Sequence, residues 1–259
     1  MKNMKEFSIS LFLILMIMLN LNFNGSADQL SADQIMDTVK DNLVDYENSR
    51  TQAEMILIDQ KGDEEKREII MVEKEENDKV SLLMRFLAPK SVEGVTLLSM
   101  EDGDKIYLFM PAFQKPRRIS GSTKQENFMG TDFSYEDISM DYQSEEYQKN
   151  LLKETEQHFL IEVIPDNQEI SYKKFLLHIN KKHFYMEKVE FFNLEEQLTK
   201  ILEIKEIQMD ENGKITPMQM ELSNLIDHHQ TKMNIKEIEY NLELSPDFFS
   251  IRTIQKPKI

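Results

Sequence analysis

From Arg50 onward, apolar and polar residues alternate with a period of two, in "TQAEMILIDQ", "KREIIMVEKE", "DKVSLLMRFLAP", "GVTLLSMED" and "DKIYLFMPAF". The breaks between these runs, "QKGDEE", "EEND", "PKSVEG" and "EDGD", carry the Gly, Pro, Asn and Asp residues of turns. After a central segment the rhythm resumes in "HFLIEVIP", "YKKFLLHIN", "MEKVEFFNL", "QLTKILEIKEIQM", "ITPMQMELSNLI" and "QTKMNIKEIEYNLEL", with "DENG" as a hairpin turn. Consecutive antiparallel strands thus number about 11, too many for a small sandwich and suited to one strongly curved sheet. No linker rich in Pro, Gly or Ser interrupts them. The pattern therefore predicts a mainly β, single-domain chain built as an incomplete, half-open β-barrel. Ahead of the strands the period becomes helical: Ser31 and Gln34 form a capping box with Leu30 as its staple, and Ile35, Val39, Leu43 and Tyr46 mark one face over about four turns.

Several strands are apolar on both faces, as in "SLLMRFL", so one face of the sheet must meet something besides water. The N-terminal helix and the central segment are the available covers, and both look small for so wide a sheet. A concave apolar surface left partly uncovered is a ligand cavity or a partner site. Period-two alternation groups Met84, Phe86, Leu108, Met110, Met218, Met220 and Leu222 as candidates for its lining. Methionine is common in the chain, and its flexible thioether suits a wall that accommodates varied apolar chains. Within "NFMGTDFSYEDI", Ser134 and Asp137 form a second capping box, with Phe133 and Ile138 placed as its staple, which starts a helix at Tyr135. Glu136 and Asp137 then lie favourably in its first turn, and Gly130 supplies the turn that leads in.

The first residues are set apart by composition. Lys2 and Lys5 precede an unbroken apolar run from Leu11 to Leu19, and Gly25, Ser26 and Ala27 supply small residues for cleavage. This predicts an export signal over residues 1–27, a mature domain over residues 28–259 and a periplasmic location. Loss of the leader shifts the formal charge from -16 to -17, since it carries Lys2, Lys5 and Glu6. So acidic a chain is expected to bind nucleic acid and anionic membrane surfaces poorly, with transient membrane contact only. With no cysteine, its stability in an oxidising compartment must come from a buried core, and thiol chemistry is excluded.

"PAFQKPRRIS", with Pro111 and then Arg117, Arg118, Ile119 and Ser120, is followed at fixed spacing by "FMGTDF" and by Tyr135, Glu136 and Asp137. These two linked blocks, with "FLAPKSVEGVTLLSMED" ahead of them, resemble the outer membrane lipoprotein-sorting protein family, in the LolA-like branch that accompanies RND-type exporters. The likeness is close over about residues 50–150 and continues beyond as strand rhythm. It implies a half-open antiparallel barrel whose mouth is plugged by helices and whose apolar interior accepts acyl chains. It also implies carriage of a lipid or acylated lipoprotein between membranes, with an RND-type inner-membrane transporter as partner. On this reading Arg117 or Arg118 faces Asp132, Glu136 or Asp137 beside Tyr135 and latches the plug across the mouth.

Other chemistry fits poorly. The five histidines form no paired ligand spacing, and His228 and His229, as neighbours, point to opposite faces. "EDGD" and "DENGK" sit where hairpin turns are needed and lack the ligand order of a calcium loop. Glu136 and Asp137, adjacent on a helix, cannot flank one glycosidic bond, and no nucleophile elbow or phosphate loop is present. No cofactor, metal or catalytic residue is expected. The alternative to a carrier is an envelope module that senses lipid or lipoprotein and reports it to a protein partner.

Overall fold

The computed structural model describes residues 30–77, 79–140, 142, 147–166 and 170–257. The leader expected over residues 1–27 lies outside them. Residues from Ser31 onward form one compact unit. Its framework is a single antiparallel sheet of strands β1 (Asn48–Ile58), β2 (Glu64–Glu76), β3 (Lys79–Ala88), β4 (Thr96–Met100), β5 (Lys105–Phe109), β6 (Arg117–Ile119), β7 (Tyr147–Glu154), β8 (His158–Pro165), β9 (Tyr172–Asn180), β10 (Met186–Asn193), β11 (Leu198–Met209), β12 (Ile215–Asn224) and β13 (His229–Tyr240). The order across the sheet runs from β6 back to β1, then from β13 back to β7. Two meanders are thus joined side by side through the β1–β13 pair, and the sheet stays open as a curved half-barrel.

The strands missing from the period-two reading are the two edges, β6 and β7. An edge strand has one solvated flank and is kept short or polar, which discourages pairing with other chains and erases the apolar alternation. In β7 only Tyr147, Lys149 and Leu151 are half-buried, and the other five residues of "YQKNLLKE" are exposed. The topology also explains the central segment. The chain leaves the sheet at edge β6 and re-enters at edge β7, so it must cross between the edges.

Helix α1 (Ala32–Asn42) begins with the expected capping box: Gln34 N–H donates to Ser31 Oγ at 3.2 Å, and Ser31 N–H to Gln34 Oε1 at 2.8 Å. It ends earlier than expected. Leu43 is already extended, and Val44 N–H donates to the Ile215 carbonyl, so Leu43 and Tyr46 belong to a strand-like connection and not to the helix face. Helix α1 buries Ala32, Ile35, Met36 and Val39 against Phe159, Phe175, Phe191 and Leu222 of β8, β9, β10 and β12. The other half of the same face, from β1 to β5 with β13, is covered by the central segment. The opposite face of β3 and β4 is not left to water. Leu83 and Leu98 pack with Phe248, Phe249 and Ile254 of the C-terminal segment, which ends in the one-turn helix α3 (Ile251–Ile254). Arg85 completes that contact by donating to Thr96 Oγ1 at 2.7 Å and to the Ile254 carbonyl at 3.1 Å.

Candidate functional site

The central segment is a plug built from short turns. Residues Gly121–Gln125 and Phe128–Gly130 form 3-10 turns, and Tyr135–Ile138 make a single helical turn, α2. The second capping box is present, with Asp137 N–H donating to Ser134 Oγ at 3.0 Å and Ser134 N–H to the Asp137 carboxylate at 2.8 Å. The expected staple is not. Phe133 packs toward α1 and Ile138 toward the opposite cluster, because a one-turn helix straddles both halves of the interior. Met129 and Gly130 are consecutive left-handed residues, at φ 50° and 78°, which fold the loop tightly enough to drive Phe128 inward. Phe128 is fully buried, stacked on Phe86 with ring centroids 5.5 Å apart and edge-on to Tyr135 at the same distance.

The plug is fastened by polar contacts that reach four places on the framework. Arg67 of β2 donates to the Met129 carbonyl at 2.7 Å, while its guanidinium lies over the Phe86 ring. Asp132, 1 % exposed, accepts from Thr231 Oγ1 at 2.7 Å and faces His229 Nδ1 at 3.0 Å, both on β13. Asp137 accepts from Lys200 Nζ of β11 at 2.7 Å and from the Tyr172 hydroxyl of β9 at 2.8 Å. Glu136 accepts from the Ser171 N–H at 2.9 Å and from its hydroxyl at 2.5 Å. Burial outweighs these bonds and raises the Glu136 carboxyl above its ordinary value. Burial, with Asp137 beside it, likewise pushes the Tyr172 hydroxyl upward.

The latch differs from the one expected. Asp132, Tyr135, Glu136 and Asp137 do sit in the plug, but among the described residues neither Arg117 nor Arg118 pairs with a carboxylate. Both arginines are exposed on edge strand β6, and the carboxylates turn across the interior to β9, β11 and β13 instead. Sequence reasoning missed Arg67, Ser171, Tyr172, Lys200, His229 and Thr231. All but Ser171, which precedes β9, are polar or tyrosine residues within strands, and nothing local marks them as facing inward.

Of the candidate lining residues, Met84, Phe86 and Leu108 form the apolar floor under the plug, with Met110 and Met220 packed against it. Leu222 lies under α1, and Met218 is half-buried outside both clusters. The apolar interior is therefore filled by the protein's own segment. The open space lies beside it, a cavity of about 2100 Å³ whose wall mixes Met220, Ile235, Ile238 and Tyr240 with Glu73, Glu136 and several lysines. Tyr46 donates to Glu73 there at 3.0 Å, and burial raises both groups above their ordinary values. Met220 alone of the seven candidates borders this space.

A family model described as "Uncharacterized protein" matches residues 78–256, well over half of the chain. A crystal structure described as an outer membrane lipoprotein-sorting protein domain from Vibrio parahaemolyticus superposes with a TM-score of 0.81 at 25 % identity, over 87 % of this chain and 98 % of its own. The chain belongs to this family and is LolA-like. Two further structures share the fold of the LolA-like chain. A DUF1329 family protein from Desulfovibrio piger has a TM-score of 0.78 at 22 % identity, over 86 % of this chain and 98 % of its own. A LolA superfamily protein from Nitrosomonas europaea has a TM-score of 0.71 at 16 % identity, over 86 % and 99 %. None of the curated proteins matches the LolA-like sequence. Among the described residues, no helix is long and apolar enough to cross a membrane.

Proposed function

We propose that this LolA-like protein is a periplasmic carrier that takes an acyl chain of a lipid or lipoprotein onto the sheet face now covered by the plug. Residues 1–27 are then a cleaved leader, and residues 28–259 the working domain. The observation that carries the reading is the contact between Phe128 and the floor of Met84, Phe86 and Leu108. Apolar side chains of the plug occupy a continuous apolar floor, while polar contacts at its margins hold it down. Those margins can be given up to water, whereas the floor needs an apolar replacement.

Withdrawing Phe128 forfeits about 3–5 kcal/mol of burial, and Met129, Tyr135 and Ile138 leave the floor with it. An acyl chain of about ten methylenes regains roughly 8 kcal/mol at ~0.8 kcal/mol each. The site binds its ligand and carries out no catalysis on it. Met84, Phe86, Leu108, Met110 and Met220 are its proposed acyl contacts, and Asp132, Tyr135, Glu136 and Asp137 its closing group, with Arg117 and Arg118 at the rim, while Leu222 stays under α1 and Met218 outside the floor. The resemblance to exporter-associated relatives supports an RND-type transporter as donor.

Native mass spectrometry of the mature protein, isolated from an export host without detergent, tests the reading. A bound lipid or acylated peptide is expected, and Leu108→Asp or Met220→Asp in a still-folded protein removes it. A bare polypeptide mass that takes up no added phospholipid or lipopeptide overturns it.

A further inference from the structure

The chain carries a formal charge of -16, yet residues 105–124 contain Lys105, Lys115, Arg117, Arg118 and Lys124 and no Asp or Glu. Two of these cations are used locally: Lys105 pairs with Glu101 at 2.5 Å, and Lys124 donates to the Gly103 carbonyl at 2.9 Å. Among the described residues, Lys115, Arg117 and Arg118 have no carboxylate partner, and all three are exposed. Just before them the 3-10 turn Pro111–Phe113 ends at Gln114, whose φ of 55° turns the chain back sharply. Phe113 is left at the tip, 69 % exposed, the most exposed large apolar side chain among the described residues. The β3–β4 loop closes on this tip, since a Cβ built on Gly94 would stand 3.0 Å from Pro111 Cγ, and it adds exposed Lys90 beside a single acid, Glu93.

We propose that this tip docks the protein on an anionic lipid bilayer surface, with Phe113 entering the headgroup boundary and Lys115, Arg117 and Arg118 meeting the headgroups. The register pairs Leu108 with Arg117 and Tyr107 with Arg118, so the two arginines leave opposite faces of edge strand β6. A protein partner seated on one face would meet only one of them. An extended plane of charge approached edge-on meets both, and long side chains can bend toward it. One aromatic ring among cations is a membrane-surface pattern, whereas a protein hot spot needs a packed apolar centre. The remaining negative charge does not prevent docking, because screening over about 8 Å leaves only charges near the tip to act on the bilayer. This inference is independent of whether the interior holds lipid.

Co-sedimentation of the full mature protein with sucrose-loaded vesicles tests it. Wild type is expected to pellet with mixed phosphatidylcholine and phosphatidylglycerol vesicles, to remain largely in solution with phosphatidylcholine alone, and to release as salt is raised. Each cation near an anionic surface strengthens partitioning about fivefold. The variant Lys115→Glu, Arg117→Glu, Arg118→Glu therefore binds well over tenfold more weakly, Phe113→Ser several-fold more weakly, and Met209→Ser, exposed at the opposite end of the sheet, like wild type. All five positions are solvent-exposed, and thermal melts confirm that the variants fold. Wild type that stays in solution with anionic vesicles overturns the proposal and leaves the tip to an acidic protein. Triple-variant binding equal to wild type overturns it as well.

Discussion

At the scale of single residues, the plug depends on charges buried in pairs. Asp137 has a side chain only 2 % exposed and meets Lys200, itself 11 % exposed, at 2.7 Å. Lys200→Met leaves the carboxylate with the Tyr172 hydroxyl and the Ser134 N–H but without a countercharge. Removing one partner of such a pair costs about 3 kcal/mol, which denaturant unfolding should register, while exposed Lys205→Met should change little. Glu136 gives a pH test. Its folded-state carboxyl is raised by burial, so its contribution to stability is fully present below the unfolded-state value and is lost as pH rises through the folded one. Glu136→Gln retains an acceptor for the Ser171 N–H and carries no charge. Its melting temperature should match wild type at acid pH, where the wild-type carboxyl is protonated in both states, and exceed it once the pH has risen through the folded-state value. A constant difference through that rise would remove Glu136 as the titrating group. The carboxylates of this group were legible in "FSYEDI" because capping gave them a local reason to be there. Their partners were not. Lys200, His229 and Tyr172 come from strands far along the chain, and nothing in "QLTKILEIKEIQM" distinguishes a lysine that enters the interior from one that faces water.

At the scale of elements, the strands with a covered face were readable from their alternation, while the elements that failed to show themselves have specific causes. Strands β6 and β7 are sheet edges, α3 is a single turn, and α1 stops at Asn42 because Leu43 and Val44 are drawn into pairing beside Ile215. The plug is held at its flank by the β4–β5 turn, where Gly103 has φ 85° and a built Cβ would lie 2.5 Å from Ser139 Cβ. Gly62, in the β1–β2 turn at φ 86°, has open space around it. Gly62→Ala should therefore cost only its backbone strain, about 1 kcal/mol. Gly103→Ala should exceed that by about 1–3 kcal/mol, since Ser139 and the plug must shift to admit the methyl group. Paired melts of the two variants measure the difference, and equal destabilisation would mean that the turn does not bear on the plug.

At the scale of the whole molecule, the half-barrel is an open sheet given three covers. Helix α1 closes one half of the inner face, the plug closes the other, and the C-terminal segment seals part of the outer face. Helix α1 contributes a regular apolar stripe to its cluster. The plug contributes Phe128, Met129, Tyr135 and Ile138 to one cluster and Phe133 to the other, on short turns fastened by polar contacts at its margins, so it can leave the folded sheet only when an apolar ligand replaces it. Hydrogen–deuterium exchange of the mature protein, before and after loading with a phospholipid or an acylated peptide, tests this most directly. Amides of residues 121–140 are expected to lose protection on loading, while those of β1, β2, β12 and β13 keep theirs. Loading that leaves the plug as protected as before would contradict it, because the floor of Met84, Phe86 and Leu108 would then have stayed covered while lipid bound elsewhere.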